Sequence, residues 1–211
     1  YLHLLMADDL VKPEFYRTLL GTMEPLAAPA LAYSLNETID ADGRVTGPFN
    51  RTSAGPAREI PRRDFLVRQA TLDTILLPAV VFKVNRQPPQ CLFRDLPQTS
   101  DCIFLAEWAR GCGHLIEVPE HLCQYRVHPA NATSSANLMN LKTSVHDEWR
   151  AMTTILPWIE EGAAARWLRR EKMKCLFAAR AHVKADMMAL RHPDYAGEIR
   201  RALSHSVGPV Y

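Results

Sequence analysis

Apolar and polar positions alternate in blocks that switch between the periods of strand and helix along the first 135 residues of the chain. The opening run YLHLLM is short and apolar and reads as a buried strand flanked by layers of helix. Asp8 and Asp9 follow it directly. Pro13-Glu14 then opens a helix, because proline is tolerated at the first helical position and an acid suits the first turn; Phe15, Leu19 and Leu20 form its core face. Residues 30–47, ALAYSLNETIDADGRVTG, give a strand and a hairpin, with the turn signal Asp42-Gly43 between Ile39 and Val45. Residues 48–62 hold Pro48, Gly55, Pro56 and Pro61 and read as an irregular loop. FLVRQATLDTILLPAVVFKV, residues 65–84, predicts a helix to about Leu76, a break before Pro78, and a strand AVVFKV.

The next segment, Asn85–Gln98, carries Pro88, Pro89 and Pro97 and reads as an exposed loop. SDCIFLAEWARGCG predicts a helix with Ile103, Phe104, Ala106 and Trp108 on its apolar side, ended by Gly111 or Gly113. HLIEVPEHLCQYRVHP offers two short extended pieces. From Asn137 the pattern becomes helical almost throughout, with breaks near Pro157, Gly162 and His192-Pro193. Met173, Leu176, Phe177, Val183, Met187 and Leu190 recur close to helical spacing, a stripe suited to a core or a partner face. The expected organisation is therefore an α/β region, residues 1–135, followed by a helical extension, residues 136–211.

Composition changes this picture little. At 211 residues with 47% hydrophobic, the chain buries a sizeable core. A net charge of +2 is far from the strongly basic balance of a dedicated nucleic-acid binder. Locally the tail is basic: between Arg166 and Arg201 ten Lys and Arg face four Asp and Glu, which suits a solvated helix face or contact with an anionic surface. The five cysteines are odd in number and include no C-x-x-C pair, so buried thiols in a reduced compartment fit better than disulfides or structural zinc. No apolar run reaches the about 18 residues of a spanning helix, and no signal-peptide pattern opens the chain. A cytoplasmic location is expected, or one peripheral to the inner face of a membrane.

The chemistry concentrates at three places. Adjacent carboxylates at Asp8 and Asp9 repel unless water screens them or a cation sits against them. Asp101 leads a helix, where Ser100 or Asp101 would satisfy helix amides as a cap. QYRVHPANATS, residues 124–134, gathers a basic and an imidazole side chain in one loop.

These segments resemble family 2 glycosyltransferases of the GT-A fold. Residues 1–20 run strand, LMADD, then an L-x-x-P-E-F helix, where the family has strand, D-x-D-D and L-x-x-P. AYSLNETIDADGRV, within residues 31–47, is similar to the strand and Asp-Gly hairpin that follow. Residues 99–134, TSDCIFLAEWARGCGHLIEVPEHLCQYRVHPANATS, resemble the later half: an acid before a helix, a strand, then YR-x-H with a polar tail. The resemblance covers residues 1 to about 135 and implies a partial GT-A (Rossmann-like) mixed sheet lacking its N-terminal βαβ units, which grip the base and ribose, followed by the helical region.

What it implies for function is metal-dependent, inverting transfer of a sugar from a nucleotide-diphosphate sugar donor to a hydroxyl of a carbohydrate or lipid-linked acceptor. Asp8 falls on the acid that coordinates Mn or Mg, while the first Asp of the motif is Met6 here. Asp101 matches the base, and His128 is placed to help hold the metal. Asp9, the trailing acid, and Arg126 would contact the donor diphosphate. Trp108 and residues 76–83, LLPAVVFK, are candidates to line the acceptor site, against the commoner fate of core packing. The helical tail would pack on the catalytic domain, join another subunit or touch a membrane. Two rival expectations are a catalytically silent GT-A-like binding or scaffolding module, favoured by Met6, and another metal-dependent enzyme such as a nucleotidyltransferase or phosphohydrolase.

Overall fold

The computed structural model describes residues 1–27, 29–49, 55–73, 75–84, 98–128, 141–159, 161–189 and 193–207. Most of the expected proline-rich loop, with Cys91 in it, and the polar tail after His128 lie outside the described residues. In chain order the elements are β1 (Leu2–His3), β2 (Leu10–Val11), α1 (Phe15–Met23), β3 (Ala30–Ile39), β4 (Val45–Pro48), β5 (Arg58–Glu59) and α2 (Arg62–Ala70). A 3-10 turn at Leu77–Ala79 leads into β6 (Val80–Lys83), α3 (Ser100–Gly111) and β7 (His114–Arg126). The helical part comprises α4 (Leu141–Ile155), a 3-10 turn at Leu156–Trp158, α5 (Ala163–Ala189) and α6 (Pro193–Val207).

The fold is α/β, with a mixed sheet in the order β1-β6-β3-β7-β2. β3 is its axis. It pairs in parallel with β7 along its whole length, from Ala30↔His114 to Ile39↔Arg126, and antiparallel with β6 and β4. The parallel register slips where Ser34 faces Val118 and the next residue, Leu35, faces His121. Pro119 and Glu120 occupy the slip, as expected of a residue that cannot donate to a ladder. β7 is thus one bent strand, where two short pieces were expected, and its outer edge takes β5 before the bulge and β2 after it.

Period-two alternation sorts the sheet's faces. Ala30, Ala32, Ala79 and Val81 look toward α1, whose Phe15, Leu19 and Met23 close one core. Leu31, Tyr33, Val80 and Phe82 look the other way, onto Phe65 of α2 and Phe104, Leu105 and Trp108 of α3. The far sides of α2 and α3 then meet the helical region: Leu66, Ala70, Ile103 and Ala106 share a third core with Met152, Ile155, Met173 and Phe177. Residues 1–135 and 136–211 are therefore joined by a continuous apolar contact.

Three local expectations are corrected. YLHLLM is not an interior strand: only Leu2–His3 pair, at the sheet's end, and Leu5 and Met6 are exposed, because β6 offers them no further partner. α2 stops at Ala70, earlier than expected, where Asp73 N–H donates to Arg68 C=O and Leu72 N–H to Gln69 C=O. That closure puts Leu72 in the left-handed region at φ 57°, a conformation a branched side chain holds only under constraint from its surroundings. On α5 the buried positions are Met173, Phe177, Ala181 and Ala185, while Leu176 and Val183 of the expected stripe face outward. Cys102, Cys112 and Cys123 are buried thiols as expected, and Cys175 is exposed. Among the described residues no helix is long and apolar enough to cross a membrane.

A buried carboxylate ties four elements together. Glu117 of β7 accepts a hydrogen bond from Tyr33 Oη at 2.8 Å and from Arg68 Nη1 at 2.7 Å, and pairs with Arg58 of β5. Burial alone would raise its pKa, but the three donors together hold the carboxyl below its ordinary 4.5. A depressed acid contributes stability above its unfolded pKa and loses it as pH falls through its folded one. In thermal unfolding, Glu117→Gln is expected to destabilise most near neutral pH, with the gap to wild type shrinking below about pH 4.5. Arg68→Ala, which removes one of the three donors and leaves Tyr33 and Arg58 on the carboxylate, is expected to cost about 1.5–3 kcal/mol in chemical denaturation.

Candidate functional site

The site sits at the C-terminal ends of the paired strands β3 and β7. A turn closed by Asp9 N–H on Met6 C=O carries Asp8 and Asp9, and β2 then ties the segment to Cys123 and Gln124 of β7. That register brings Asp9 against Arg126, whose backbone N–H donates to Asp9 Oδ1 at 2.9 Å. The Arg126 side chain crosses to three carbonyls: Nε donates to Asp8 C=O at 2.8 Å, and Nη1 to Asp40 and Ala41 C=O at 3.0 and 2.9 Å. Asp40 and Ala41 begin the expected hairpin turn, in which Asp40 Oδ1 accepts from Asp42 and Arg44 N–H and Gly43 takes φ 84°, a conformation glycine adopts without a Cβ penalty. Arg126 is thus a staple between two turns.

One residue further, Val127 N–H donates to Ile39 C=O and extends the parallel ladder. His128 then comes to Asp8 with Nε2 at 3.4 Å from Oδ2, across 120 positions of sequence. Both side chains are partly exposed. Asp9 behaves differently from its neighbour. It is 4% exposed, and burial, reinforced by the charge of Asp8, lifts its pKa from 3.8 to about 6 against the pull of the Arg126 hydrogen bond.

Asp101 stands in the first turn of α3, which runs back from this end of the sheet toward the start of β7. Its Oδ1 accepts from the Cys102 N–H at 2.8 Å, so it does part of a cap's work. Desolvation outweighs that bond and raises its pKa. The carboxyl lines a cavity of about 290 Å³ whose other walls include Tyr125, the residue before Arg126, together with Phe49, Glu148, Arg180 and Lys184.

The expected site residues therefore divide. Asp8 and His128 are brought together, and Asp101 opens on a cavity at the same end of the sheet. Asp9 and Arg126, expected at the donor diphosphate, are corrected: the carboxyl is buried, and the guanidinium is engaged by backbone carbonyls. Trp108 is corrected too. At 2% exposure, with its ring centroid 4.5 Å from that of Phe82, it is core and offers no face to an acceptor. In residues 76–83 only Leu76 reaches the cavity; Val80, Val81 and Phe82 are buried in the sheet. Glu148, Arg180 and Lys184 were missed, because nothing in the sequence links two cations one turn apart on α5 to an acid on α4.

A hard divalent cation such as Mn or Mg can be tested against this donor set. Adjacent ligands of an octahedral ion about 2.1 Å from each lie about 3 Å apart, so the 3.4 Å between Asp8 Oδ2 and His128 Nε2 fits a neighbouring pair. Among the described residues no group of three or more His, Cys, Asp or Glu is assembled.

The raised pKa of Asp9 has a stability consequence. Its penalty is absent below about pH 4, grows as pH rises through about 6, and is constant above. Asp9→Asn, which keeps the acceptor for Arg126 N–H, is expected to raise stability at pH 7.5 by up to about 3 kcal/mol, with the gain fading toward pH 4. Thermal melts of both proteins across that range check it. In comparisons with known proteins, the chain matches no family model and no curated protein.

Proposed function

We propose that this chain carries the catalytic end of a metal-dependent, GT-A-like glycosyltransferase that moves a sugar from a nucleotide-diphosphate donor to a hydroxyl acceptor with inversion. The approach of His128 to Asp8 carries the reading, because a carboxylate and an imidazole held side by side suit a divalent cation that a donor diphosphate would also bind. When bound, that ion supplies positive charge to the leaving nucleotide diphosphate. Asp8 and His128 would hold it, and Arg126 fixes the Asp8 backbone through its carbonyl.

Asp101 supplies the remaining chemistry. Its carboxylate takes the proton of the acceptor hydroxyl as that oxygen bonds to the anomeric carbon. The bond from that carbon to the diphosphate oxygen breaks, and its electron pair leaves with the nucleotide diphosphate. A base with a raised pKa is matched to this task, since it holds the proton it has taken. A silent scaffolding module is the second reading, and the diversion of Arg126 to backbone carbonyls favours it.

The test uses protein expressed from its complete reading frame with UDP-, GDP- and dTDP-sugars and Mn or Mg. Turnover of one of these donors is expected, with Asp8→Ala losing both Mn binding and activity. Asp101→Asn is expected to retain Mn binding while turnover falls by about 10²–10⁴. Inactivity of the wild type on all three donors, or full activity of Asp101→Asn, rules the reading out.

A further inference from the structure

The cavity beside Asp101 has a wall that the transfer chemistry does not require. Arg180 and Lys184 lie one turn apart on α5 and so emerge side by side. Both donate to the same oxygen, Glu148 Oε1 of α4, at 3.2 and 2.6 Å. Glu148 is 7% exposed, so a buried carboxylate holds two cations at the cavity's edge. Such a cluster is an expensive way to stabilise a fold, because apolar residues of similar volume generally do as well or better. Its yield is placement. Asp101 lines the same cavity, so the two cations meet two carboxylates there, but a guanidinium and an ammonium together offer eight N–H donors, of which Glu148 engages one from each.

Two aromatic side chains also line the cavity. Phe49 and Tyr125 pack edge to face with ring centroids 5.7 Å apart, and Phe49 is 41% exposed. Aromatic surfaces of this kind accept the C–H face of a sugar ring, while the cations accept an anion. A volume of about 290 Å³ has room for about one such ring.

We propose that this cavity is an acceptor subsite selective for a hydroxyl compound bearing an anionic oxygen group, a sugar carboxylate or a sugar phosphate ester. Arg180 and Lys184 take the anion, Phe49 and Tyr125 take the ring, and the reactive hydroxyl is left toward Asp101. The helical region is thereby a specificity element of the site. The ring's role as acceptor rests on the transfer reading above; recognition of the anion does not.

Binding without any donor separates the two. A hexose 6-phosphate, a hexuronate and the neutral hexose are titrated into the full-length protein and followed by ligand-observed NMR. The comparison protein is E148Q/R180Q/K184Q, which removes the cations without stranding the buried acid. K184Q, which leaves Arg180 on Glu148, serves if the triple variant fails to fold. At least one anionic probe is expected to bind the wild type about tenfold or more tightly than the neutral hexose, and its identity assigns the source of the anion. That preference is expected to fall to about twofold or less in the triple variant, and to weaken in K184Q. Equal binding of charged and neutral probes, absence of binding by all three, or a preference unchanged in the variants overturns the proposal. Donor turnover by the wild type, measured separately, reads the transfer reaction alone.

Discussion

The parallel pairing of β3 with β7 is the constraint on which the rest of the molecule depends. Two strands running the same way end at the same edge of the sheet, so Ile39 and Arg126, neighbours in the last rung, deliver their following loops to one place. The hairpin turn at Asp40 and Ala41 and the loop to His128 are brought side by side in this manner. β2, antiparallel to β7, adds the Asp8–Asp9 turn. Arg126 then fastens all three with one side chain, and does so through backbone carbonyls, which fix positions regardless of side-chain identity.

Burial treats the molecule's acids differently according to how many donors reach them. Glu117 meets Tyr33, Arg58 and Arg68, and its carboxyl is held below the ordinary range despite burial. Asp9 meets one backbone N–H and a neighbouring acid, and is pushed upward to about 6. Asp101 is raised for the same reason, with the Cys102 N–H opposing desolvation. One of these acids secures the sheet, while Asp101 lines a cavity.

The helical region belongs to the same packing. α4 and α5 cover the outer faces of α2 and α3, so the change of sequence pattern near residue 136 is no boundary in the core. The same docking carries Glu148, Arg180 and Lys184 to the cavity that Asp101 lines. An element that reads in isolation as a basic amphipathic tail becomes a wall of the candidate site.

Much was legible from local pattern. The strand at residues 30–39, the Asp-Gly turn after it, α3 with its acid in the first turn, and the breaks near Pro157, Gly162 and Pro193 follow from periodicity and from the backbone limits of glycine and proline. Asp8, Asp101 and His128 are singled out by the resemblance of their segments to the glycosyltransferase motifs, since a loop histidine or a helix-leading acid alone reads as structural. Accessibility was not legible. The sequence gives Asp8 and Asp9 equal standing, yet one is partly exposed beside an imidazole and the other is buried, since the difference arises from where β2 meets β7. Arg126 has the chemistry of a phosphate ligand but is claimed by three carbonyls that only the folded sheet brings within reach. Trp108 has the chemistry of a sugar platform but fills the space beneath Phe82. By itself the amino-acid order determined the elements and the residues able to do chemistry, because both depend on neighbours along the chain. Only the tertiary structure decided which of those residues face a cavity and which hold the scaffold, because that depends on contacts between segments up to 120 positions apart.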